Sequence, residues 1–340
     1  MTPWAVGLCW LLIAGVGQGI FPLPMKFTRH WKWEHLWFWY AVLAFLALPL
    51  AMAVLTVPGL IDVYRVSSSG VLPLIAAFGL AWGIGSVFFG LGIDSLGMAL
   101  GFPIMTGLTT ALGALIPLAV LTPDLLWKRN GILTIAGNIV TIVGVAVCAA
   151  AGSERDRQRG SSLTPSILGP GRSFTSALTI CILSGVFSAM FNFGYAFGTP
   201  IINAAVRRGA TLDNAVNAVW LIVLPAGGIA NVLYCVYLLR RNRSGALLFR
   251  GHLLRDWTSA AAMAVLWTGS VVVYGWGANA LGRLGPTLGW SLWNAILITS
   301  TVLCGVLTHE WHGVYGRPLK LLWLGILVLI IGTFILGAGV

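Results

Sequence analysis

The chain is 340 residues long, 58% hydrophobic and only 9% charged, where ordinary soluble domains carry about a quarter charged residues. Its net charge of +11 comes from twenty Lys and Arg against nine Asp and Glu, and these charges are bunched between long apolar runs. The pattern excludes a soluble domain presenting a basic groove to nucleic acid and points to a chain dissolved in lipid.

Crossing a hydrocarbon core of about 30 Å takes about 20 apolar residues of helix. Ten such stretches are predicted, at 3–25, 35–57, 72–93, 96–121, 131–151, 174–198, 216–239, 257–281, 286–308 and 318–339. The first lacks a basic leading region and a small-x-small cleavage site, and nine more spans follow it, so it is read as an uncleaved helix. Next comes KFTRHWKWEHLWFWY, Lys26 to Tyr40. Bases interleaved with aromatic rings can grip single-stranded nucleic acid. At the end of a span the same residues make a membrane boundary, with Lys26, Arg29 and Lys32 at anionic headgroups and Trp31, Trp33, Trp37 and Trp39 at the interface.

Between the fifth and sixth spans, ERDRQRGSSLTPSILGPGRS has the composition of a linker. It divides the chain into halves at 1–151 and 174–340, joined by 152–173. Farther on, Arg240 to Arg255 reads RRNRSGALLFRGHLLR. Its Leu247, Leu248, Phe249, Leu253 and Leu254 among five arginines fit either an amphipathic piece on the anionic leaflet or a solvated positive loop. After the ninth span, His309-x-x-His312 has a one-turn spacing that could hold a metal. Trp311 and Arg317 beside it favour an ordinary membrane boundary.

Numbering the nine connecting loops in order, the odd loops hold 14 Lys and Arg and the even loops six. Positive loops are retained in the cytoplasm, so the odd loops are predicted cytoplasmic and both termini outside. Five spans per half require that any repeat between the halves be inverted. At an offset of 170, Gly15, Val16 and Phe21 meet Gly185, Val186 and Phe191. At an offset of 185, Trp82, Gly90, Gly92, Leu96 and Gly97 meet Trp267, Gly275, Gly277, Leu281 and Gly282. The expected fold is an all-α polytopic membrane protein of ten helices in two inverted five-helix repeats.

Gly15-x-x-x-Gly19, Gly79-x-x-x-Gly83, Gly97-x-x-x-Gly101 and Gly285-x-x-x-Gly289 suit close helix packing within one chain; a dimer stays open but unsupported. Pro22, Pro24, Pro49, Pro103, Pro117 and Pro225 fall inside spans, where helices can bend around a cavity. Cys9, Cys148, Cys181, Cys235 and Cys304 lie in apolar spans without a C-x-x-C pair, so neither a disulfide framework nor a zinc site is expected.

Six stretches carry a family resemblance over nearly the whole length. They are Trp31, Trp33, Glu34 and Trp37; Ala81 to Gly85 with Gly90 and Leu91; Leu96 to Gly101; Gly185 to Met190; Tyr274 to Gly277; and Glu310, Trp311 with Gly316 to Pro318. In these the chain resembles the bacterial L-rhamnose-proton symporter family of the drug/metabolite transporter superfamily. The resemblance implies ten helices in two inverted halves, sugar uptake through the inner membrane, and proton coupling. The chain departs from the family's pattern of histidine and acidic residues after Gly277 and in the ninth helix, carrying Asn279 and then Gly289 to Asn294 (GWSLWN).

The expected function is uptake of L-rhamnose or a related neutral sugar with a proton as co-substrate. The alternatives are a drug/metabolite-type carrier for another small metabolite and an uncoupled sugar carrier. A substrate site near the midplane selects polar and aromatic residues well inside spans: Gln18, Trp82, Ser86, Asn192, Tyr274, Asn279, Trp290, Trp293 and Asn294. Amides offer donors and acceptors to hydroxyls, and rings stack on the apolar face of a pyranose. Gly83 and Gly85 are expected to leave space beside the Trp82 ring.

No span has an ionisable residue at its middle. The carboxylates nearest the helix cores are read as Glu34, Asp94 and Glu310, all on the odd-loop side. Glu34 with Lys26 and Glu310 with Arg317 are expected to pair across an inner gate, with Glu34 or Glu310 taking up the proton. No D-x-D metal pair and no G-x-S-x-G elbow occurs, so an enzyme, a cofactor and a metal are not expected.

Overall fold

The computed structural model describes residues 3–158, 174–249 and 254–339; the side chains at 3, 94, 97–100 and 174 lie outside that description. The described residues form helices and turns, with ten helical segments long and apolar enough to cross a membrane. They are α1 (Trp4–Phe27), α2 (Trp33–Thr56), α3 (Val71–Ile93), α4 (Gly101–Leu121), α5 (Arg129–Gln158), α6 (Thr175–Arg207), α7 (Leu212–Arg241), α8 (Leu254–Ala280), α9 (Gly282–Leu307) and α10 (Arg317–Gly337). In lipid no water satisfies a free N–H or C=O, so each crossing segment closes its own hydrogen bonds as helix.

Several boundaries differ from the sequence reading. Helical bonding is continuous from Val71 to Leu121 over 51 residues, a straight length of about 75 Å. The run nevertheless folds back on itself, because a Cβ on Gly101 would lie 3.1 Å from the Gly92 carbonyl oxygen. Helix α5 continues to Gln158, which takes the first seven residues of the expected linker into the helix; 159–173 lie outside the described residues. Of the segment after α7, Leu248 is buried and Phe249 largely exposed; the Leu247 carbonyl accepts from Trp31 Nε1 in the first loop and the Phe249 ring meets Trp39 of α2 edge-on, so it packs partly on both; Arg250 to Leu253 lie outside the described residues.

Proline interrupts the α-helical pattern at some of the expected places, while Pro103, Pro117 and Pro225 lie inside continuous helix. Pro22 and Pro24 mark the change from α-helix to a 3₁₀ turn at Leu23–Phe27. A π turn at Leu43–Ala47 stands just before Pro49, whose missing N–H leaves the Phe45 carbonyl without its usual partner. A second π turn, Gly285–Gly289, contains Pro286.

Glycine sets how the helices meet. A Cβ on Gly15 would lie 2.6 Å from Ile296, and one on Gly19 2.7 Å from Ser300, so α1 lies directly on α9. Ser270 Oγ donates to the Ala14 carbonyl, tying α8 to α1. Across the bundle, Ser184 Oγ donates to the Gly85 carbonyl and Gly185 sits on Met105 and Leu108, so α6 lies on α3 and α4. These contacts define two units, α1 with α8 and α9, and α6 with α3 and α4. Helix α7 crosses α3 at Gly83, where a Cβ would lie 2.1 Å from the Gly227 carbonyl. Helices α5 and α10 pair through Gly137, Gly144, Gly325 and Gly332, the small-residue seam by which helices associate without a hydrophobic drive.

Candidate functional site

The two units face each other across aromatic rings. Trp82 of α3 and Trp267 of α8 stack at 5.6 Å between centroids and 25° between planes, and Phe45 meets both edge-on. The Trp82 ring lies over Gly227, within 2.4 Å of where a Cβ would be. The space for it therefore comes from α7; Gly83 and Gly85 instead bring the α3 backbone against α7 and α6.

Below this stack lies a cavity of about 420 Å³, within the size range of small-molecule sites. Its walls include Gln18, Phe21 and Pro22 of α1, Trp37, Tyr40 and Phe45 of α2, and Trp82, Ser86 and Phe89 of α3. Helix α4 gives Phe102, Thr106 and Thr109, α6 gives Ser188 and Phe191, α7 gives Asn231 and α8 gives Trp267. Helix α9 completes the wall with Trp290, Trp293, Asn294, Leu297, Ile298 and Thr301. These positions run from mid-bundle toward the odd-loop ends of their helices. None of the described lining residues carries a charge.

The polar groups of the wall are held by neutral bonds. Asn231 Nδ2 donates to Ser86 Oγ, and its Oδ1 accepts from Trp37 Nε1. The hydroxyls of Ser86, Thr106, Thr109 and Thr301 donate to carbonyls of their own helices, which leaves the lone pairs of the three threonines, and the one on Ser86 that Asn231 does not use, for incoming donors. A molecule with several hydroxyls and an apolar face matches such a wall.

Of the nine residues selected from the sequence, Gln18, Trp82, Ser86, Trp290, Trp293 and Asn294 line this cavity. Asn192, Tyr274 and Asn279 do not. Asn192 is fully buried, with Nδ2 donating to the carbonyls of Gly113 and Pro286 and Oδ1 accepting from Tyr274 Oη at 2.6 Å. Asn279 accepts from Tyr195 Oη and donates to the Leu212 carbonyl. The sequence reading missed Trp267, Phe191 and Asn231. The first two carried a signal, since they are the counterparts of Trp82 and Phe21 at the offsets already noted.

The expected ion pairs are corrected by the geometry. Lys26 Nζ lies 2.6 Å from Glu310 Oε1, with Arg155 at 3.9 Å on the other oxygen, and Arg317 stands 4.0 Å from Glu154. Glu34 has neither cation. It is buried, and its Oε1 accepts from Asn242 Nδ2 and Ser244 Oγ, each at 3.0 Å. Lys26 is drawn to Glu310 because α1 and α9 run side by side, whereas Glu34 opens α2 beneath the end of α7. The Asp94 side chain lies outside the described residues. A further buried carboxylate, Asp256, accepts from the backbone N–H groups of Arg29 and His30 and meets His30 Nδ1 at 3.2 Å, tying the first loop to α8. On the opposite face, Arg283 bonds to Asp124 and holds its carboxyl below the usual range.

Ten apolar spans around an aromatic-walled cavity of small-molecule size define a multi-pass membrane protein. Residues 2–340 match the family described as L-rhamnose-proton symport protein (RhaT), and the chain belongs to that family. It is 28% identical to an L-rhamnose-proton symporter of Cronobacter sakazakii, over 98% of this chain and 97% of that one. Proteins of the same description from Klebsiella pneumoniae and Escherichia coli are 26% identical over the same shares of both chains.

Proposed function

We propose that the chain takes up L-rhamnose or a closely related neutral sugar together with a proton across the bacterial inner membrane, with odd loops cytoplasmic and both termini periplasmic. The observation that carries this is the cavity: rings to cover the apolar face of a sugar, amides and hydroxyls for its hydroxyl groups, and no charge among the described lining residues. The lack of an anion among the described lining residues disfavours a cationic substrate. The six sequence-selected residues in the wall, with Trp267 and Asn231, are the proposed contacts. The relatives' description supplies rhamnose and the proton as first choices.

The proposed architecture is an inverted repeat of the drug/metabolite transporter type, with halves at 1–151 and 174–340. Equivalent contacts support it. The Ser270 to Ala14 bond and the Ser184 to Gly85 bond occupy matching places at offsets of 185 and 170. So do the contacts of Gly277 with Leu11 and of Gly92 with Cys181.

Glu34 is the proposed proton-coupling group. It is buried with no Lys or Arg paired to it among the described residues, and Trp37, three residues on and so about one turn away, lines the cavity. Glu310 is held by Lys26 and Arg155 and is better suited to clamping α1 to α9. The test is uptake into liposomes by purified protein, with rhamnose and then a panel of hexoses and pentoses, with and without an inward proton gradient. Accumulation that collapses with an uncoupler supports symport. Equilibration that ignores the gradient gives an uncoupled carrier, and flux of an amine or amino acid but of no sugar overturns the substrate class.

A further inference from the structure

A second cavity, of about 800 Å³, lies at the even-loop face, bordered by Ser67, Thr122, Asn203, Arg207, Arg283 and Pro286. Between Pro286, which borders it, and Trp293, which lines the central cavity, lies a layer of side chains. Asn192 is the centre of that layer: its bond to Gly113 stays within the α3, α4 and α6 unit, while its bonds to Tyr274 and Pro286 cross to the α1, α8 and α9 unit. Tyr195 to Asn279 is a third bond across the same divide. Tyr274 in turn stacks on Trp293 at 4.6 Å, the roof of the central cavity.

We infer that this layer is the outer gate of the carrier, closed here, and that the even-loop cavity is the vestibule through which substrate reaches it. The inference rests on the carrier reading and on the proposed repeat. Under the repeat, the counterparts of Asn192 and Tyr274 at offsets of 170 and 185 are Pro22 and Phe89. Both line the central cavity, and neither side chain can form such a bond. Among the described residues, one end of the divide is therefore bonded shut by these side chains and their counterparts leave the equivalent end unbonded, as expected of a carrier caught facing the odd loops.

The layer is also built to part. Gly285 sits against the Ala278 carbonyl, where a Cβ would lie 2.1 Å away, so Tyr274 and Pro286 belong to one tight hairpin and leave Asn192 together. The π turn at Gly285–Gly289 puts an irregular stretch, of a kind that recurs at functional sites, where that hairpin meets the gate. Trp220 and Trp293 each bury an Nε1–H without a partner among the described residues, and opening toward the vestibule would hydrate them.

The test is sided labelling of a cysteine in the central cavity, Ser188→Cys with Thr106→Cys as a second reporter, after replacement of the five native cysteines. A membrane-impermeant maleimide should react faster from the odd-loop face of oriented proteoliposomes. Tyr274→Phe, which keeps the ring and removes one crossing bond, should raise the even-face rate about fivefold, the effect of one neutral buried hydrogen bond. Asn279→Ala, which acts at the other crossing bond, should raise it as well and serves if Tyr274→Phe fails to fold. Equal rates from both faces in the parent, or an even-face rate that neither variant moves, overturns the gate. Labelling needs no sugar, so absence of sugar flux counts against the carrier reading while the sided rates still decide the position of the closure.

Discussion

Replacing Glu34 by Gln separates coupling from transport. The Glu34 Oε1 accepts from Asn242 Nδ2 and Ser244 Oγ at 3.0 Å, and a glutamine carbonyl can accept both bonds. Hydrogen bonds to an ionised group are worth about 1.5–3 kcal/mol and neutral ones about 0.5–1.5, so the substitution costs about 2 kcal/mol over two bonds and leaves the link between α2 and α7 in place. With the membrane potential clamped at zero and an inward gradient of about one pH unit, worth about 1.4 kcal/mol, one-to-one symport concentrates sugar about tenfold. The wild-type protein should approach that ratio in liposomes, and Glu34→Gln should stop near equal concentrations while still exchanging labelled for unlabelled sugar. Glu310→Gln, which alters the exposed Lys26 clamp, should still accumulate. Accumulation by Glu34→Gln equal to wild type refutes Glu34 as the coupling group.

Removing either ring of the central stack, Trp82→Ala or Trp267→Ala, should raise the KM for sugar at least tenfold with near-normal expression, because each ring forms cavity wall; an unchanged KM in both places the substrate elsewhere. Gly83→Leu should abolish recovery of monodisperse protein, since a Cβ there already falls 2.1 Å from the Gly227 carbonyl, and size-exclusion chromatography of a stable variant would refute so close a crossing. A C-terminal alkaline phosphatase fusion should be active and a green fluorescent fusion dark if the termini are periplasmic; the opposite signals reverse the orientation and make the closed gate the inner one.

The ten crossings were legible in the sequence because lipid leaves the backbone one economical solution, and a run of apolar side chains long enough to cross is written residue by residue. Family membership was legible for a similar reason, in local stretches such as Ala81 to Gly85 and Leu96 to Gly101. The match of Trp82 with Trp267 was visible too, though not that the two rings would stack on each other. Partnership required tertiary structure. Lys26 and Glu310 are 284 residues apart, and only the descent of α1 along α9 puts them together, leaving Glu34 to Asn242 and Ser244. An amide inside a span reads the same whether it lines a cavity or bonds neighbouring helices. Asn294 does the first and Asn192 the second because glycines at 15, 19, 83 and 185 fix how closely, and at what height, the helices meet. Those heights also place the cavity on the odd-loop side and the bonded layer on the other, a difference between two ends that composition alone does not encode.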